Sequence, residues 1–244
     1  MSGTNVQLSI IIPTREEEKA LADTIAQLQT LAVSHEVIVS DGASKDATVE
    51  CARNAGAQVV VFDSSRPHNA SIGRNDGARV ASGEILCFID ADTFIPKPNA
   101  FFTRALTHFE NPAIVGVCTP QRAYPELETW SDRISFGLFN LGLRIQNNVL
   151  HVGEASGKCM LVRASVFSDV QGFREDLVTR EDGDLFNRIS KKGITIFDSS
   201  LMVYHGARRA HAIGWWRLWS IWMWNTFYVA VGNKAHAKDW TPVR

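Results

Sequence analysis

The sequence predicts an α/β domain built around a mostly parallel β-sheet, and three observations support this. Short continuous apolar runs such as Leu8–Ile12 and Ile85–Ile89 are typical of buried strands. Segments such as Glu17–Leu31 place apolar residues near the helical period. The two patterns alternate along the first half of the chain. Strands separated by helices of this length favour βαβ units with parallel strands.

The first half of the chain gives the clearest succession of elements. Gly56 and Gly83 follow two of the helical segments, where glycine commonly ends a helix. Small residues in the third helical segment, among them Gly77, permit close packing on a sheet. The predicted elements are strand Leu8–Ile12, helix Glu17–Leu31, strand Val37–Val39, helix Asp46–Ala55, strand Val59–Phe62, helix Ala70–Ala81 and strand Ile85–Ile89.

After Asp92 the alternation loosens, and no domain boundary is sharp. We expect residues 1–210 to form one α/β domain whose C-terminal half is the second wall of a cleft. Residues 211–244 form a Trp-rich helical segment. The expected elements are helix Pro98–Phe109, strand Ile114–Val117, amphipathic segment Glu126–Leu150, strand Met160–Val162, helix Glu181–Lys192, and strands Ile194–Phe197 and Leu201–Tyr204.

Composition narrows the class of protein. Hydrophobic residues make up 45% of the chain and charged residues 21%, which excludes a disordered chain. Lys plus Arg number 25 and Asp plus Glu 26, so the surface lacks the basic excess typical of nucleic-acid binding. Cys87 and Cys118 lie in apolar runs, which predicts buried free thiols and a reducing compartment. The N-terminus lacks the basic region of a secretory signal, so we expect a cytoplasmic protein.

Acidic residues follow the predicted strands at one edge of the sheet. Ligands of open α/β sheets bind outside the carboxyl ends of the strands. Glu17 follows the first strand, Asp41 the second, and Asp90 and Asp92 the fourth. Two carboxylates separated by one residue can converge on a hard cation such as Mg²⁺ or Mn²⁺. A solvated pair of surface acids is the alternative.

The chain resembles family 2 glycosyltransferases of the GT-A fold over about residues 8–210. The matching pieces stand in the family's order: IIIPTREEE, EVIVSDGASKDAT, GRNDGARVASGEILCFIDADT and GKCMLVRASVFSDVQGFREDLVTREDGDLFNRI. The resemblance implies a nucleotide-diphosphate sugar donor and a carbohydrate or lipid-linked acceptor. The residues that it implies for donor binding are Pro13, Thr14, Arg15, Glu17, Asp41, Arg74 and Asp90.

Two positions depart from the family pattern. Glu16 stands where the family usually has Asn, and Ser40 replaces the first acid of the usual DDGS motif. Both departures bear on the identity of the nucleotide. A plain turn is the alternative explanation of Asp41 and Gly42.

The resemblance also implies the reacting groups. Glu181 and Asp182 match an ED motif at a helix start, with Asp182 as the base and Glu181 orienting it or the acceptor. Both acids could instead simply favour the helix N-terminus. Asp90 and Asp92 carry the metal and diphosphate, and the transfer inverts the anomeric configuration.

Three further features keep alternatives open. His205 is either an additional metal ligand or a packed or surface histidine. Arg208 and Arg209 either clamp phosphates or lie on a solvated or membrane-facing surface. Lys158, in the segment HVGEASGK, is a candidate residue of the acceptor side, although no motif spacing supports that position.

The segment Ile213–Gly232 contains five of the seven Trp residues. It packs on the domain, lies on a membrane surface or forms an oligomer contact, and interfacial Trp favours peripheral membrane contact. Such contact, at the inner face of the membrane, makes a lipid-linked acceptor plausible.

Other functions are less consistent with the sequence. A sugar-phosphate nucleotidyltransferase is disfavoured because no Gly-rich loop follows the first strand. An oxidoreductase is disfavoured because no GxGxxG opens the first helix. A non-catalytic binding module that docks through the Trp segment is disfavoured by the intact Asp90, Asp92 and Asp182.

Overall fold

The computed structural model describes residues 6–62 and 69–232. The strands are β1 Leu8–Thr14, β2 His35–Asp41, β3 Gln58–Val61, β4 Ile85–Ile89, β5 Ile114–Cys118, β6 Gln121–Ala123, β7 Cys159–Arg163, β8 Ile194–Phe197 and β9 Val203–His205. The helices are α1 Glu18–Ala26, α2 Thr48–Asn54, α3 Ala70–Val80, α4 Pro98–His108, α5 Trp130–Asn148, α6 Ala164–Asp169, α7 Glu181–Ile189, α8 Arg208–Ile213 and α9 Trp215–Gly232.

Seven strands form a central sheet in the order β3-β2-β1-β4-β7-β5-β8. The pairs β1–β2, β1–β4, β2–β3 and β5–β8 are parallel, which confirms the predicted mostly parallel sheet. β7 runs antiparallel to both of its neighbours, β4 and β5. This reversal was not predicted. β6 and β9 form a separate parallel pair.

The core lies on both faces of the sheet, because successive strand residues point to opposite sides. Ile10 and Ile12 belong to one apolar cluster and Ile11 to the other. α3 packs closely on this strand, as its small residues predicted: a Cβ at Gly77 would lie 2.5 Å from Ile11 Cγ2. Cys87 and Cys118 are buried free thiols, as predicted.

Several boundaries differ from those predicted. β4 and β8 have the predicted limits, whereas α1 ends at Ala26 instead of Leu31 and α7 at Ile189 instead of Lys192. α5 begins at Trp130 because the Thr129 side chain and Asp132 form a reciprocal capping box. The short elements β6, α6 and α8 were missed. β9 begins two residues later than predicted and ends one residue later, at His205.

The C-terminal helices pack on the domain. Asp132 of α5 accepts hydrogen bonds from His211 Nε2 of α8 and Trp215 Nε1 of α9, at 2.8 and 2.7 Å. The predicted boundary after residue 210 falls within α8, and residues 233–244 of the predicted segment lie outside the described residues. In the described part of the chain, no helix is long and apolar enough to cross a bilayer.

Candidate active site at the carboxyl edge of the sheet

The predicted site residues meet at the carboxyl ends of the parallel strands. β1 and β2 end side by side, with Thr14 paired to Asp41 in register. β4 ends at Ile89, which pairs with Cys159, the first residue of antiparallel β7. Because the two strands are antiparallel, the start of β7 lies beside the carboxyl end of β4. Loops from the first and second halves of the chain share this edge.

Asp41 is held by its own loop. Its Oδ1 accepts hydrogen bonds from Thr14 Oγ1 at 3.1 Å and Ser44 Oγ at 2.5 Å, and its Oδ2 accepts from the Ser44 backbone N–H at 2.8 Å. Asp41 is only 1% exposed. Pro13 is half-buried and Arg15 is exposed beside it. These residues lie at one edge of the sheet, as the sequence predicted. The hydrogen bonds of Asp41 in this structure are all with protein groups of its own surroundings.

One departure from the family pattern has unusual backbone geometry. Glu16, where Asn is usual, has φ +56°. Ala43, three residues after the other departure at Ser40, has φ +58°. Asn adopts this left-handed region more readily than other residues with a Cβ, which gives a physical reason for the usual Asn. Arg180 and Ala207, before α7 and α8, share this conformation. Backbone strain of this kind clusters at functional sites.

Asp90 and Asp92 converge on the Lys158 ammonium. Lys158 Nζ lies 2.8 Å from Asp90 Oδ2 and 3.3 Å from Asp92 Oδ1, and Arg208 Nη2 lies 3.0 Å from Asp92 Oδ2. Burial alone would raise the pKa of Asp92, but Lys158 and Arg208 hold it well below its usual range. Burial would lower the pKa of Lys158, but the two carboxylates raise it. Asp92 is therefore ionised and the lysine is protonated.

Glu17 extends this cluster. Arg208 Nη2 lies 3.4 Å from Glu17 Oε1, so a single guanidinium joins the loop after β1 to the loop after β4. Burial raises the pKa of Glu17, and Arg208 opposes that rise. Tyr124 donates from its hydroxyl to the Asp92 carbonyl at 2.7 Å. Sequence reasoning missed Tyr124, and it placed Lys158 and Arg208 without assigning their partners.

Arg74 joins the acids after β4 to the start of α7. Its Nη1 donates to Glu181 Oε1 at 2.7 Å and its Nη2 to Asp90 Oδ1 at 3.2 Å. The side chain is 3% exposed, so it lies within the site wall. A Cβ at Gly157 would lie 2.6 Å from Arg74 Nη2 and 3.5 Å from Asp182 Oδ2. Glycine at that position leaves room for the Arg74 guanidinium, while the second distance is an ordinary van der Waals contact.

Glu181 and Asp182 open α7, as predicted. Burial and the neighbouring Asp182 raise the pKa of Glu181 to about 7, and Arg74 opposes that rise. Asp182 Oδ1 accepts a hydrogen bond from the Gly183 backbone N–H at 2.9 Å. This contact is consistent with a carboxylate that stabilises the helix N-terminus through the helix dipole. It is equally consistent with a catalytic role, and one side chain can have both roles.

His205 lies buried at the end of β9, in the electrostatic field of Asp92, Lys158 and Arg208. Burial and the two cations lower its pKa to about 3, so the imidazole is neutral. The Ala207 backbone N–H donates to His205 Nδ1 at 3.1 Å, which leaves the proton on Nε2. That Nε2 is buried without a hydrogen-bond partner among the described residues.

The residues present fit a divalent cation only in part. Among residues 6–62 and 69–232 no cluster of three or more His, Cys, Asp or Glu is arranged to hold a metal. Asp90 and Asp92 nevertheless both reach one cationic atom, Lys158 Nζ. Two carboxylates completed by substrate phosphates are a common Mg²⁺ arrangement. His205 as a third ligand requires its proton to move to Nδ1, which breaks the Ala207 contact.

Comparisons with known proteins agree with this geometry. The family model described as "Glycosyl transferase family 2" matches residues 9–171. A 4,4'-diaponeurosporenoate glycosyltransferase of Staphylococcus haemolyticus is 36% identical over 101 residues, which cover 40% of this chain and 27% of that protein. A validoxylamine A glucosyltransferase of Streptomyces hygroscopicus subsp. limoneus is 31% identical over 136 residues, or 50% of this chain and 29% of that protein. The chain thus spans under a third of the length of these two relatives.

A solved structure supports the fold. The mannosyltransferase PcManGT from Pyrobaculum calidifontis, in complex with GDP-Man and Mn²⁺, superposes with a TM-score of 0.73 and 18% sequence identity. The match covers 95% of this chain and 65% of that one. The likeness confirms the GT-A fold that the sequence resemblance implied.

Proposed function

Because the chain belongs to glycosyl transferase family 2, we propose that it transfers a sugar from a nucleotide-diphosphate sugar to an acceptor, with a divalent cation and with inversion. The convergence of Asp90 and Asp92 on one cationic atom, beside the Glu181–Asp182 pair, is the observation that supports this most directly. Transfer requires the metal-bound diphosphate and the base to lie on the same bound sugar and acceptor, so the two groups have to be neighbours in the site.

The donor lies along the ends of β1, β2 and β4. Thr14 and Asp41 form the floor of the nucleoside site, and Asp41 Oδ2, which accepts one protein hydrogen bond, meets the base. Pro13, Arg15 and Glu17 border it. Arg74 acts on the donor through Asp90 and Glu181, which it holds in place, so it is a positioning residue.

Asp90 and Asp92 hold Mg²⁺ or Mn²⁺, with His205 as an additional ligand in its other tautomer. A bound divalent cation offsets the negative charge that develops on the leaving diphosphate. Lys158 and Arg208 then contact diphosphate oxygens in place of the carboxylates. The GDP-Man and Mn²⁺ in the Pyrobaculum structure support this donor chemistry.

Asp182 is the base. It takes the proton of the acceptor hydroxyl while the acceptor oxygen bonds to the anomeric carbon and the bond to the diphosphate breaks. Attack from the face opposite the diphosphate inverts the configuration. Glu181, fixed by Arg74, orients Asp182 or the acceptor. The acceptor supplies a hydroxyl, or a phosphate when it is lipid-linked, and the protein works in the cytoplasm at the membrane's inner face.

A thermal-shift panel tests the proposal. Nucleoside diphosphates and nucleotide sugars are added with and without Mn²⁺, since ligands that bind the folded state raise the melting temperature. We expect one nucleoside diphosphate to give a metal-dependent shift that Asp92→Asn abolishes. Asp182→Asn keeps the shift and loses sugar transfer. Full transfer by Asp182→Asn would remove the base assignment, and no shift with any nucleotide would favour a non-catalytic binding module.

A further inference from the structure

α5 carries a continuous apolar stripe on its solvent side. Five residues spaced three or four apart have exposed fractions between 40% and 77%: Trp130, Ile134, Leu138, Leu141 and Ile145. This spacing places them on one face of the helix, over a length of about 22 Å. The opposite face, with Phe136 and Leu143, is buried. A helix on a protein surface normally carries polar residues where α5 carries this stripe.

α9 packs on the buried side of α5 and does not extend this stripe. Trp215 and Trp222 pack against Phe136 and Phe139 of α5, with ring centroids 4.9 and 5.5 Å apart. We call the five exposed residues of α5 the α5 apolar stripe. Contiguous exposed apolar areas of this kind mark interaction sites.

The charged side chains of α5 beside the stripe are arginines. α5 contains Arg133, Arg144 and one acid. That acid, Asp132, is fully buried and bound by His211 and Trp215. Arg133 pairs with Glu128 just before the helix, and Arg144 is exposed. The stripe therefore offers apolar side chains flanked by guanidinium groups, without an exposed carboxylate on α5.

We infer that the α5 apolar stripe docks on an anionic phospholipid bilayer. Trp side chains favour the boundary between lipid and water, and arginines bind lipid phosphates. A second copy of the chain fits less well. A two-fold contact through this surface would face arginines with arginines and offer no exposed helix carboxylate to pair with them.

Docking by this surface would bring the candidate active site to the bilayer. Asp132 ties α5 to α8 and α9. α8 begins with Arg208, which binds Asp92. α5, which meets lipid, is thus connected through α8 to the edge where the donor binds. Resting on the proposed function, this connection favours the lipid-linked acceptor over a soluble carbohydrate.

Vesicle flotation tests the inference. Phosphatidylcholine vesicles with and without phosphatidylglycerol are mixed with the full chain, and the floated fraction is measured. We expect binding that requires phosphatidylglycerol. Ile134→Ser with Leu141→Ser should lower the bound fraction at least about tenfold, because apolar burial drives interfacial binding. The matched control is Val61→Ser with Val80→Ser, which removes exposed apolar side chains elsewhere and should bind as wild type.

Two outcomes would overturn the inference. One is vesicle binding by the Ile134/Leu141 variant equal to that of the control. The other is that the wild-type protein floats with neither kind of vesicle and sediments as a dimer, whereas the Ile134/Leu141 variant sediments as a monomer. A failure of the proposed function would be seen separately. No nucleotide would then raise the melting temperature in a metal-dependent way, while the protein would still float with the vesicles. The Ile134/Leu141 variant should keep that shift.

Discussion

Replacing Lys158 by methionine should tighten Mn²⁺ binding in the absence of nucleotide. Lys158 Nζ lies between Asp90 and Asp92, where a divalent cation bound by both carboxylates has to lie. The cation can enter only if the ammonium leaves. Methionine keeps the length of the side chain and removes the charge. Asp90 still pairs with Arg74 and Asp92 with Arg208, so neither carboxylate is left without a cation.

The size of the effect follows from the two ion pairs. Their distances are 2.8 and 3.3 Å, and the lysine side chain is 25% exposed, so solvent screens them in part. Breaking them costs about 1–2 kcal/mol, between the values typical of exposed pairs and of close desolvated pairs. Since about 1.4 kcal/mol is a factor of ten, the dissociation constant for Mn²⁺ should fall about 5- to 30-fold.

The electron paramagnetic resonance signal of free Mn²⁺ measures this binding directly. Lys158→Met is titrated beside Lys158→Arg, which keeps a positive charge and should not bind Mn²⁺ more tightly. Lys192→Met, an exposed lysine on the surface after α7, is the control for loss of one charge. Equal dissociation constants for Lys158→Met and Lys192→Met, with unchanged melting temperatures, would refute competition between the ammonium and the metal.

Two further predictions concern buried carboxylates. Glu181 has its folded pKa raised from 4.5 to about 7, so its own contribution to the free energy of unfolding should be fully present below pH 4.5 and be lost, by at most about 3 kcal/mol, as the pH rises to 7. Denaturant melts across this range should show a flatter profile for Glu181→Gln, and parallel profiles would contradict the assignment. Asp132→Asn weakens the hydrogen bonds to His211 and Trp215 and should cost about 1–3 kcal/mol. Hydrogen exchange should then rise at residues 208–215 before it rises in α3; a uniform rise would indicate global destabilisation instead.

The regular first half of the fold was predictable because its signals are local. β4 is a run of five apolar residues, all of them buried, and its limits were predicted to the residue. Strand ends then placed Thr14, Asp41, Asp90 and Asp92 at one edge, since parallel strands share the direction of their carboxyl ends. Asn69 also marks the start of α3, where its side chain accepts a hydrogen bond from the Ile72 backbone N–H.

The rest depends on contacts between distant residues. The sequence of β7 is compatible with either direction, and its antiparallel pairing with β4 joins residues about seventy positions apart. Lys158 reaches the acids only because of that pairing. Arg74 was expected near the phosphates, but its partners lie in three separate segments: the start of α7, the loop after β4 and the loop before β7. The periodicity of apolar residues does not reveal such partners. Nor does the sequence reveal the left-handed backbone of Glu16 and Ala43, because Glu and Ala rarely adopt that conformation.

The antiparallel direction of β7 brings a long excursion of the chain back to the Asp90–Asp92 loop. At one end of the excursion the Tyr124 hydroxyl donates to the Asp92 carbonyl, and at the other end Lys158 pairs with both acids. Between these points α5 is anchored on the sheet, since the Asn148 side chain hydrogen-bonds both backbone groups of Phe197 in β8. The packing of a helix outside the site therefore helps to set the position of the two groups that hold Asp90 and Asp92.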